Sequence, residues 1–255
     1  MNNYEKLEGM VAATFTPMDE NGDVNLSVIE KYADWIASTP IKGVFVCGTT
    51  GEFSSLTIDE RKLILEKWLV SARKRFKVIA HVGSNCQRSA MELARHAAQV
   101  GADAIASIAP SFFKPGTVDE LVDFFAPICH SAAGLPFYYY NMPSITGVNL
   151  PVDKFLVEGK KKIPNLVGTK FTHNNLMEMG VCIELEQHRF EVLHGYDEIL
   201  ISGLAMGAVA GVGSTYNYIP NVYQAIFDSM KMNDLETARH NQIKSIRSEE
   251  RRVGK

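Results

Sequence analysis

The stretch Gly43-Val-Phe-Val-Cys-Gly-Thr-Thr-Gly-Glu-Phe-Ser-Ser-Leu-Thr-Ile-Asp-Glu60 contains one complete strand-to-helix unit. It opens with an apolar run of β-branched and aromatic residues, which is typical of a strand buried on both faces of a parallel sheet. A glycine-rich turn follows. Thr57 and Glu60 then have the spacing of a capping box, in which two side chains satisfy free N–H groups at a helix start. The stretch therefore predicts a β-strand, a loop and an α-helix in succession.

The same unit recurs along the chain, because short apolar runs alternate with longer stretches of helical periodicity. Eight runs predict strands, near Met10–Phe15, Gly43–Gly48, Val78–Gly83, Ala104–Pro110, Pro136–Met142, Leu166–Phe171, Glu191–Gly195 and Gly207–Ser214. Most of their starts are separated by roughly 25–35 residues, about the length of a strand with its crossover helix. The repeats predict an α/β fold, a (β/α)₈ TIM barrel in one domain of residues 1–255, with a doubly wound sheet as the alternative.

Two further helix starts carry the same capping signature. Ser27 stands three residues before Glu30, and Thr117 stands three residues before Glu120. On the helix that begins near Thr57, the charged pair Arg61-Lys62 predicts a solvated face. We therefore expect three capped helices, the second of which has its charges in water.

The composition favours a protein that binds a small molecule. The chain has 255 residues, 46% of them hydrophobic, and a formal net charge of −3, so it has no basic field to attract nucleic acid or anionic lipid. The four cysteines are scattered, without the spacing of a disulfide framework or a zinc site. Neither a signal peptide at the N-terminus nor an apolar run long enough to span a membrane is present. These features predict a cytoplasmic protein with no nucleic-acid or membrane partner.

Active sites of barrel enzymes form where strands end and the following loops begin. In the run Leu166–Phe171, strand alternation places Lys170 on the inward face together with Gly168. Removing an ammonium from water favours the neutral amine, which is the nucleophile that attacks a ketone. The alternative is a lysine that reaches from the strand end into solvent. Neither His81 nor His194 has a comparable signal, and we interpret His81 as a core residue.

Other predicted strand ends also carry polar or glycine-rich segments. Thr49 and Thr50, between two glycines, would present hydroxyl and N–H donors to a carboxylate, unless the segment is a plain turn. Tyr140 would shuttle a proton, unless it only fills the core. The pair Asp197-Glu198 would bind hydroxyls or stabilise a helix dipole. Gly213 would leave room for a ligand or serve packing alone.

These segments together resemble the superfamily of N-acetylneuraminate lyases and dihydrodipicolinate synthases, which are class I aldolases. They are, in order, Gly48-Thr-Thr-Gly-Glu52, Tyr140-Asn-Met-Pro143, Gly168-Thr-Lys170, Gly195-Tyr-Asp-Glu198 and Gly213-Ser-Thr-Tyr-Asn217. The resemblance extends from about Leu7 to about Ile246. Within the superfamily, the chain resembles the sialic acid lyase branch in particular. A dihydrodipicolinate synthase would be expected to have an arginine between Pro143 and Thr146, where this chain has Ile145.

The resemblance implies reversible cleavage of N-acetylneuraminate to N-acetylmannosamine and pyruvate, or cleavage of a related 2-keto-3-deoxy sugar acid. It implies that Lys170 forms an imine with the substrate and that Tyr140 relays a proton, without an external cofactor or a metal. The positions that match the family's substrate contacts are Thr49, Thr50, Thr172, Gly195, Asp197, Glu198, Gly213 and Ser214. It also implies a homotetramer, with the sugar acid and pyruvate as small-molecule partners.

Two features depart from the family pattern. Some members have a tyrosine in the loop after the fourth strand, where this chain has Phe112-Phe113. The family continues for several helices beyond the eighth barrel helix, whereas here residues 248–255 form a polar, atypical tail. We therefore expect the C-terminal helical extension to be truncated, and a non-catalytic barrel that binds a sugar acid is the alternative from another functional class.

Overall fold

In the computed structural model, eight parallel strands close into a barrel. The structure describes residues 4–132 and 134–252, the last four of these by their backbone alone. The strands are β1 Gly9–Ala13, β2 Gly43–Val46, β3 Lys77–His81, β4 Ala104–Ile108, β5 Phe137–Asn141, β6 Leu166–Phe171, β7 Glu191–His194 and β8 Ala210–Gly213. Each strand pairs with the next, and β8 pairs with β1, where Gly9 lies beside Ala210. The predicted (β/α)₈ barrel is confirmed.

Helices surround the barrel and connect its strands. Those in the described ranges are α1 Val28–Ala37, α2 Ile58–Ala72, α3 Gln87–Val100, α4 Val118–Ser131, α5 Pro143–Thr146, α6 Val152–Lys162, α7 Leu176–Glu184, α8 Leu200–Ala205, α9 Pro220–Lys231 and α10 Leu235–Arg252. Short 3₁₀ helices lie at Phe53–Ser55, Asp197–Ile199 and Thr215–Asn217. The last two follow β7 and β8, so they lie at the rim where a barrel enzyme has its site.

The helix starts test the capping predictions. Thr57 and Thr117 each form a complete capping box, at the start of α2 and of α4. The capping box predicted at Ser27 was wrong. Its hydroxyl donates to Asn25 Oδ1 at 2.6 Å instead of accepting a backbone N–H of α1. Ser27 has helical backbone angles, φ −66° and ψ −25°, whereas a capping residue typically has an extended backbone, so its hydroxyl is not placed to accept that N–H.

The interior of the barrel is a second, smaller core inside the ring of strands. Alternate residues of the strands point inward, among them Val11, Phe45, Ile79, Ile108, Tyr138, Tyr140 and Leu193. The other face of each strand packs against the helices in the larger core. This alternation decides which residues near the strand ends face the barrel axis and which face a helix.

A buried carboxylate closes the amino end of the barrel. Glu191 Oε2 accepts hydrogen bonds from the backbone N–H of Leu7 at 2.9 Å and from the hydroxyl of Tyr138 at 3.0 Å. The hydroxyl of Tyr4 is hydrogen-bonded to that of Tyr138. Burial raises the pKa of Glu191 above its usual range. The N-terminal segment is therefore attached across this end of the barrel, which we call the barrel floor.

Contacts between distant parts of the chain complete the closure. Asn217, which follows β8, donates from its side-chain amide to the carbonyl oxygen of Ala13 at the end of β1, at 2.7 Å. The same amide donates to the carbonyl oxygen of Ser214, also at 2.7 Å. The ends of β1 and β8 are therefore joined by a side chain as well as by the sheet.

Two sequence predictions concern the ends of the chain. The tail predicted to be atypical, residues 248–255, begins inside α10, and its residues 253–255 lie outside the described residues, as do residues 1–3 of the N-terminus. Of the helices in the described ranges, none combines the length and the apolar character that a membrane span requires.

Candidate active site

A cavity of about 460 Å³ opens at the carboxyl ends of the strands. Its lining includes the predicted site residues Thr49, Thr50, Tyr140, Lys170, Thr172, Gly195, Asp197, Glu198 and Ser214. Gly213 is the remaining predicted residue and lies behind Asp197, because a Cβ at Gly213 would be 2.1 Å from Asp197 Oδ1. The structure thus brings together residues from five strand ends, whose chemical roles stay predictions.

Lys170 occupies the inner face of β6 near its carboxyl end. Its side chain is buried, with 4% of the residue exposed. The Nζ atom lies 4.1 Å from the centroid of the Tyr140 ring and 4.5 Å from that of the Phe45 ring. At these distances an ammonium group is attracted to the aromatic faces. The amine is therefore held between two rings at the edge of the cavity.

Tyr140 is the last inward-facing tyrosine of β5. Its hydroxyl is hydrogen-bonded to Thr49 Oγ1 at 3.2 Å and lies 3.1 Å from Met142 Sδ. The ring packs edge-on against Phe45, with 5.6 Å between centroids. The aromatic part therefore belongs to the barrel core, while the hydroxyl reaches the cavity.

The loop after β2 is held in a restricted conformation. Cys47 and Glu52, which bracket the segment Gly-Thr-Thr-Gly, have φ values of 54° and 57°. Residues other than glycine seldom adopt this left-handed region, and such strain is common at functional sites. Thr16 Oγ1 donates to the carbonyl oxygen of Gly51 at 2.7 Å and fixes the loop from the β1 side. The two hydroxyls of Thr49 and Thr50 are thus presented by a constrained loop.

A buried guanidinium supports this loop from behind. Arg61, in the second turn of α2, is only 3% exposed. It donates to the carbonyl oxygens of His81 at 2.7 Å and Gly83 at 2.9 Å. The ring of His81 is in turn hydrogen-bonded through Nδ1 to the carbonyl oxygen of Cys47 at 2.8 Å. Arg61 therefore connects α2, the end of β3 and the loop after β2.

The predicted solvated face is wrong for Arg61. Burial lowers the pKa of its guanidinium to about 10, which is still far above neutral pH, so a charge is buried here. The sequence does contain a signal for this. Arg61 shares a helix face with the buried residues Ile64, Leu65 and Trp68, at the spacing of three, four and seven residues that marks a core face.

The 3₁₀ helix after β7 places Asp197 on the opposite side of the cavity. Its Oδ2 accepts from the backbone N–H of Thr215 at 2.9 Å and from the hydroxyl of Thr215 at 2.7 Å. Burial raises the pKa of Asp197 to about 6, and the nearby charge of Lys170 opposes this shift. Thr215 was not among the predicted site residues, although the segment Gly213–Asn217 that contains it was singled out.

Gly195 allows two parts of the cavity wall to approach closely. A Cβ at this position would lie 2.0 Å from Thr172 Oγ1, so only glycine fits. The hydroxyl of Thr172 is buried and has no hydrogen-bond partner among the described residues. A buried hydroxyl without a partner, on the wall of a cavity, is suited to bind a polar ligand group.

The two strand histidines lie outside the cavity lining. His81 points inward but is buried among aromatic rings, and burial lowers its pKa well below the usual range. His194 points outward from β7 toward α8, where a Cβ on Gly203 would contact its ring, and burial lowers its pKa to about 4. Both are core residues in this fold.

Other openings of the surface lack this combination of groups. A groove of about 680 Å³ between α9 and α10 is lined by apolar and basic side chains, and a cleft of about 1060 Å³ lies near the barrel floor. None of the predicted site residues lines either of them. Within the described ranges, no three His, Cys, Asp or Glu side chains are grouped as a metal site would need.

Known proteins resemble this chain in sequence and in fold. The sequence model that describes the dihydrodipicolinate synthetase family matches residues 6–249 of this chain. The N-acetylneuraminate lyase of Mus musculus is 44% identical over 237 residues, which cover 92% of this chain and 74% of that protein. The structure of Proteus mirabilis N-acetylneuraminate lyase has a TM-score of 0.93 and 36% identity, and the match covers 95% of this chain and 82% of that chain.

A third similar protein bears on the lysine. The structure of a catalytic lysine mutant of Ruminococcus gnavus sialic acid aldolase has a TM-score of 0.90 and 28% identity. The match covers 95% of this chain and 79% of that one. That enzyme thus has a catalytic lysine on a barrel of the same shape.

Proposed function

The chain belongs to the dihydrodipicolinate synthetase family, and we propose that it cleaves N-acetylneuraminate reversibly to N-acetylmannosamine and pyruvate through an imine on Lys170. It is a lyase, as its relatives are. The observation that carries the proposal is the buried amine of Lys170, which shares a cavity with the hydrogen-bonded hydroxyls of Tyr140 and Thr49. An imine mechanism requires a nucleophilic amine and a proton-transfer group side by side, so this geometry supports it.

In the proposed reaction, the neutral amine of Lys170 attacks the keto carbon of the sugar acid, and the keto oxygen leaves as water. The bond between the α-carbon and the hydroxyl-bearing β-carbon then breaks, and its electron pair moves toward the protonated imine to form an enamine. The hydroxyl on the far carbon becomes the aldehyde of N-acetylmannosamine and gives its proton to the relay at Tyr140. The enamine that remains takes up a proton at carbon, and water hydrolyses the imine to release pyruvate and the amine.

The other cavity residues would divide the substrate between them. Thr49 and Thr50 would hold the carboxylate, and their loop is constrained on both sides. Asp197, Glu198 and Ser214 would bind sugar hydroxyls, together with Thr172, whose buried hydroxyl has no described partner. Because the imine itself serves as the electron sink, the proposed reaction requires no external cofactor.

Borohydride trapping tests the nucleophile. Incubation with pyruvate and borohydride should reduce the imine to a stable secondary amine on the peptide that contains Lys170, as mass spectrometry would show. Lys170→Ala should abolish the label. Lys77→Ala is the matched control, since Lys77 is a strand lysine at the other end of the barrel, within ion-pair distance of Glu5 and Asp103. A label on another lysine, or none on folded protein at saturating pyruvate, would overturn the mechanism.

A substrate panel tests the specificity. A site built to bind hydroxyls discriminates strongly against substrates that lack them, because its buried polar groups are then unpaired. We expect pyruvate release from N-acetylneuraminate, weaker release from shorter 2-keto-3-deoxy sugar acids, and no condensation of pyruvate with aspartate semialdehyde. Ile145 is exposed and uncharged, so it offers no partner to a second carboxylate.

Each other outcome of the panel has a defined meaning. A preference for a short sugar acid would assign the chain to a neighbouring aldolase specificity. Condensation with the semialdehyde would contradict the reasoning about Ile145. Saturable binding of N-acetylneuraminate without cleavage, by protein shown to be folded, would favour a non-catalytic binding protein.

The proposal includes a homotetramer. Phe112 and Phe113, in the loop after β4, are 77% and 86% exposed. Adjacent exposed aromatic side chains are typical of protein interfaces. The resemblance implies four copies, so sedimentation equilibrium should give four times the mass of the chain, and a monomer would contradict this part of the proposal.

A further inference from the structure

The last helix contributes one fully bonded amide to the rim of the cavity. Gln242, on α10, is 4% exposed. Its Nε2 donates to the carbonyl oxygen of Asp197 at 2.9 Å and to Ser245 Oγ at 2.8 Å. Its Oε1 accepts from the backbone N–H of Ile201 at 2.9 Å. Both donors and the acceptor of this amide are therefore used inside the protein.

Two of these partners belong to the segment that carries the acidic pair of the cavity. The 3₁₀ helix Asp197–Ile199 leads directly into α8, and Ile201 lies in the first turn of that helix. From the other side, Thr215 holds the carboxylate of Asp197. The segment is thus fixed at its carboxylate from the end of β8 and at its backbone from α10, which packs against it.

We infer that Gln242 is a positioning residue that selects for the sugar part of the substrate. By holding the backbone on both sides of Glu198, it determines where the two acidic side chains meet the substrate hydroxyls. This inference rests on the proposed function, in which Asp197 and Glu198 bind those hydroxyls. Small displacements of binding groups weaken the binding of the substrate part that they contact. Among the described residues, the side chain of Gln242 is hydrogen-bonded to Asp197, Ser245 and Ile201 and not to Lys170 or Thr49.

Gln242→Met tests the inference, because methionine has nearly the same length and no hydrogen-bonding amide. We expect the KM for N-acetylneuraminate to rise about tenfold, as the loss of well-formed buried hydrogen bonds predicts, with kcat changed by less than about threefold. The pyruvate concentration that gives half-maximal imine trapping should change by less than about twofold. Asn241→Met is the matched control, since within the described part of the chain the Asn241 amide donates to Thr237 of its own helix and to no other residue.

Gln242→Glu separates the acceptor contact of the amide from its donor contacts. The carboxylate keeps an acceptor for the N–H of Ile201 but brings an oxygen against the carbonyl of Asp197. At acidic pH the new carboxyl group can donate, and we expect a KM between those of the wild type and the Met variant measured at the same pH. At neutral pH we expect KM to rise more than it does at acidic pH. If Gln242→Met does not fold, this variant carries the same test.

Hydrogen exchange keeps the inference separate from the proposed activity. Without any substrate, the amide of Ile201 and its neighbours should exchange faster in Gln242→Met than in Asn241→Met. If the wild-type protein does not cleave N-acetylneuraminate but Gln242→Met still exchanges faster, the proposed function is refuted. The contact of Gln242 with the backbone of this segment is then still supported. Unchanged exchange, an unchanged KM, or an equal loss of pyruvate trapping and sugar-acid binding would each overturn the positioning role.

Discussion

Tyr140→Phe removes one hydroxyl from the cavity and leaves the aromatic ring in place. The hydroxyl is hydrogen-bonded to Thr49 Oγ1 at 3.2 Å, and the ring packs against Phe45 and against the amine of Lys170. None of the ring contacts needs the oxygen. We therefore expect the variant to fold, to keep Lys170 in position and to lose only the proton relay.

The expected losses of stability and of activity differ in size. One neutral hydrogen bond contributes about 0.5–1.5 kcal/mol to stability. Loss of a general acid–base group lowers turnover by about 10²–10⁴, which equals about 2.7–5.4 kcal/mol of transition-state stabilisation, since a factor of ten is about 1.36 kcal/mol. Activity should thus fall far more than stability.

Tyr138→Phe is the matched control, since Tyr138 precedes Tyr140 by two residues and faces the same interior. Its hydroxyl donates to Glu191 at the barrel floor. Its removal should cost at least as much stability, because the acceptor is a carboxylate, and should leave turnover within about threefold. Pyruvate release and urea unfolding would be measured for both variants. Equal turnover in the two variants would refute the assignment of a relay to Tyr140 and make it a core residue.

Three further substitutions test other parts of the site. Arg61→Met should lower the free energy of unfolding in urea by about 2–6 kcal/mol, because two buried carbonyl groups lose their donor at about 1–3 kcal/mol each; a loss below about 1 kcal/mol would contradict this. Burial raises the pKa of Asp197 to about 6, so the wild type gains a proton there as the pH falls through that value and loses an acceptor. The kcat/KM of the wild type should therefore fall as the pH is lowered through about 6. The kcat/KM of Asp197→Asn should not show this acidic decrease. Gly195→Ala would bring a Cβ to 2.0 Å from Thr172 Oγ1 and should lower kcat/KM by at least about tenfold. The control Gly116→Ala should not, because its Cβ would make only an ordinary van der Waals contact with Glu120 Oε2 at 3.6 Å.

The strands could be predicted because buried parallel strands appear as apolar runs, but their ends could not. The predicted run Val78–Gly83 extends past His81, where β3 ends, and Ala104–Pro110 extends past Ile108. Val82 and Ala109 are as buried as the strand residues before them. Hydrophobicity reports burial, whereas a strand is defined by pairing of its backbone, and these loops remain buried after the pairing stops.

Most of the polar groups that line the cavity could be predicted, because they lie near the end of a predicted strand or, like Thr172 and Ser214, match positions in the family's motifs. The residues that hold them in place could not be identified in the same way. Arg61 has the spacing of a core face, but a charged side chain on a helix usually indicates a solvated position. Gln242 has no local signal, because its partner Asp197 is 45 positions away in the sequence. Such contacts depend on how α10 packs, which no short segment encodes.

The pairing of β1 with β8 has a consequence for how the nascent chain folds. The strand Gly9–Ala13 is synthesised long before the residues beside it, Ala210–Gly213, leave the ribosome. Until then, one edge of Gly9–Ala13 has no partner, and an unpaired apolar edge invites pairing with other chains. Closure also joins segments far apart in sequence, which makes folding slow. The barrel that has not yet closed is therefore the folding intermediate most exposed to aggregation. A chaperone that binds this intermediate would bind a chain in which one edge of the first strand is still unpaired.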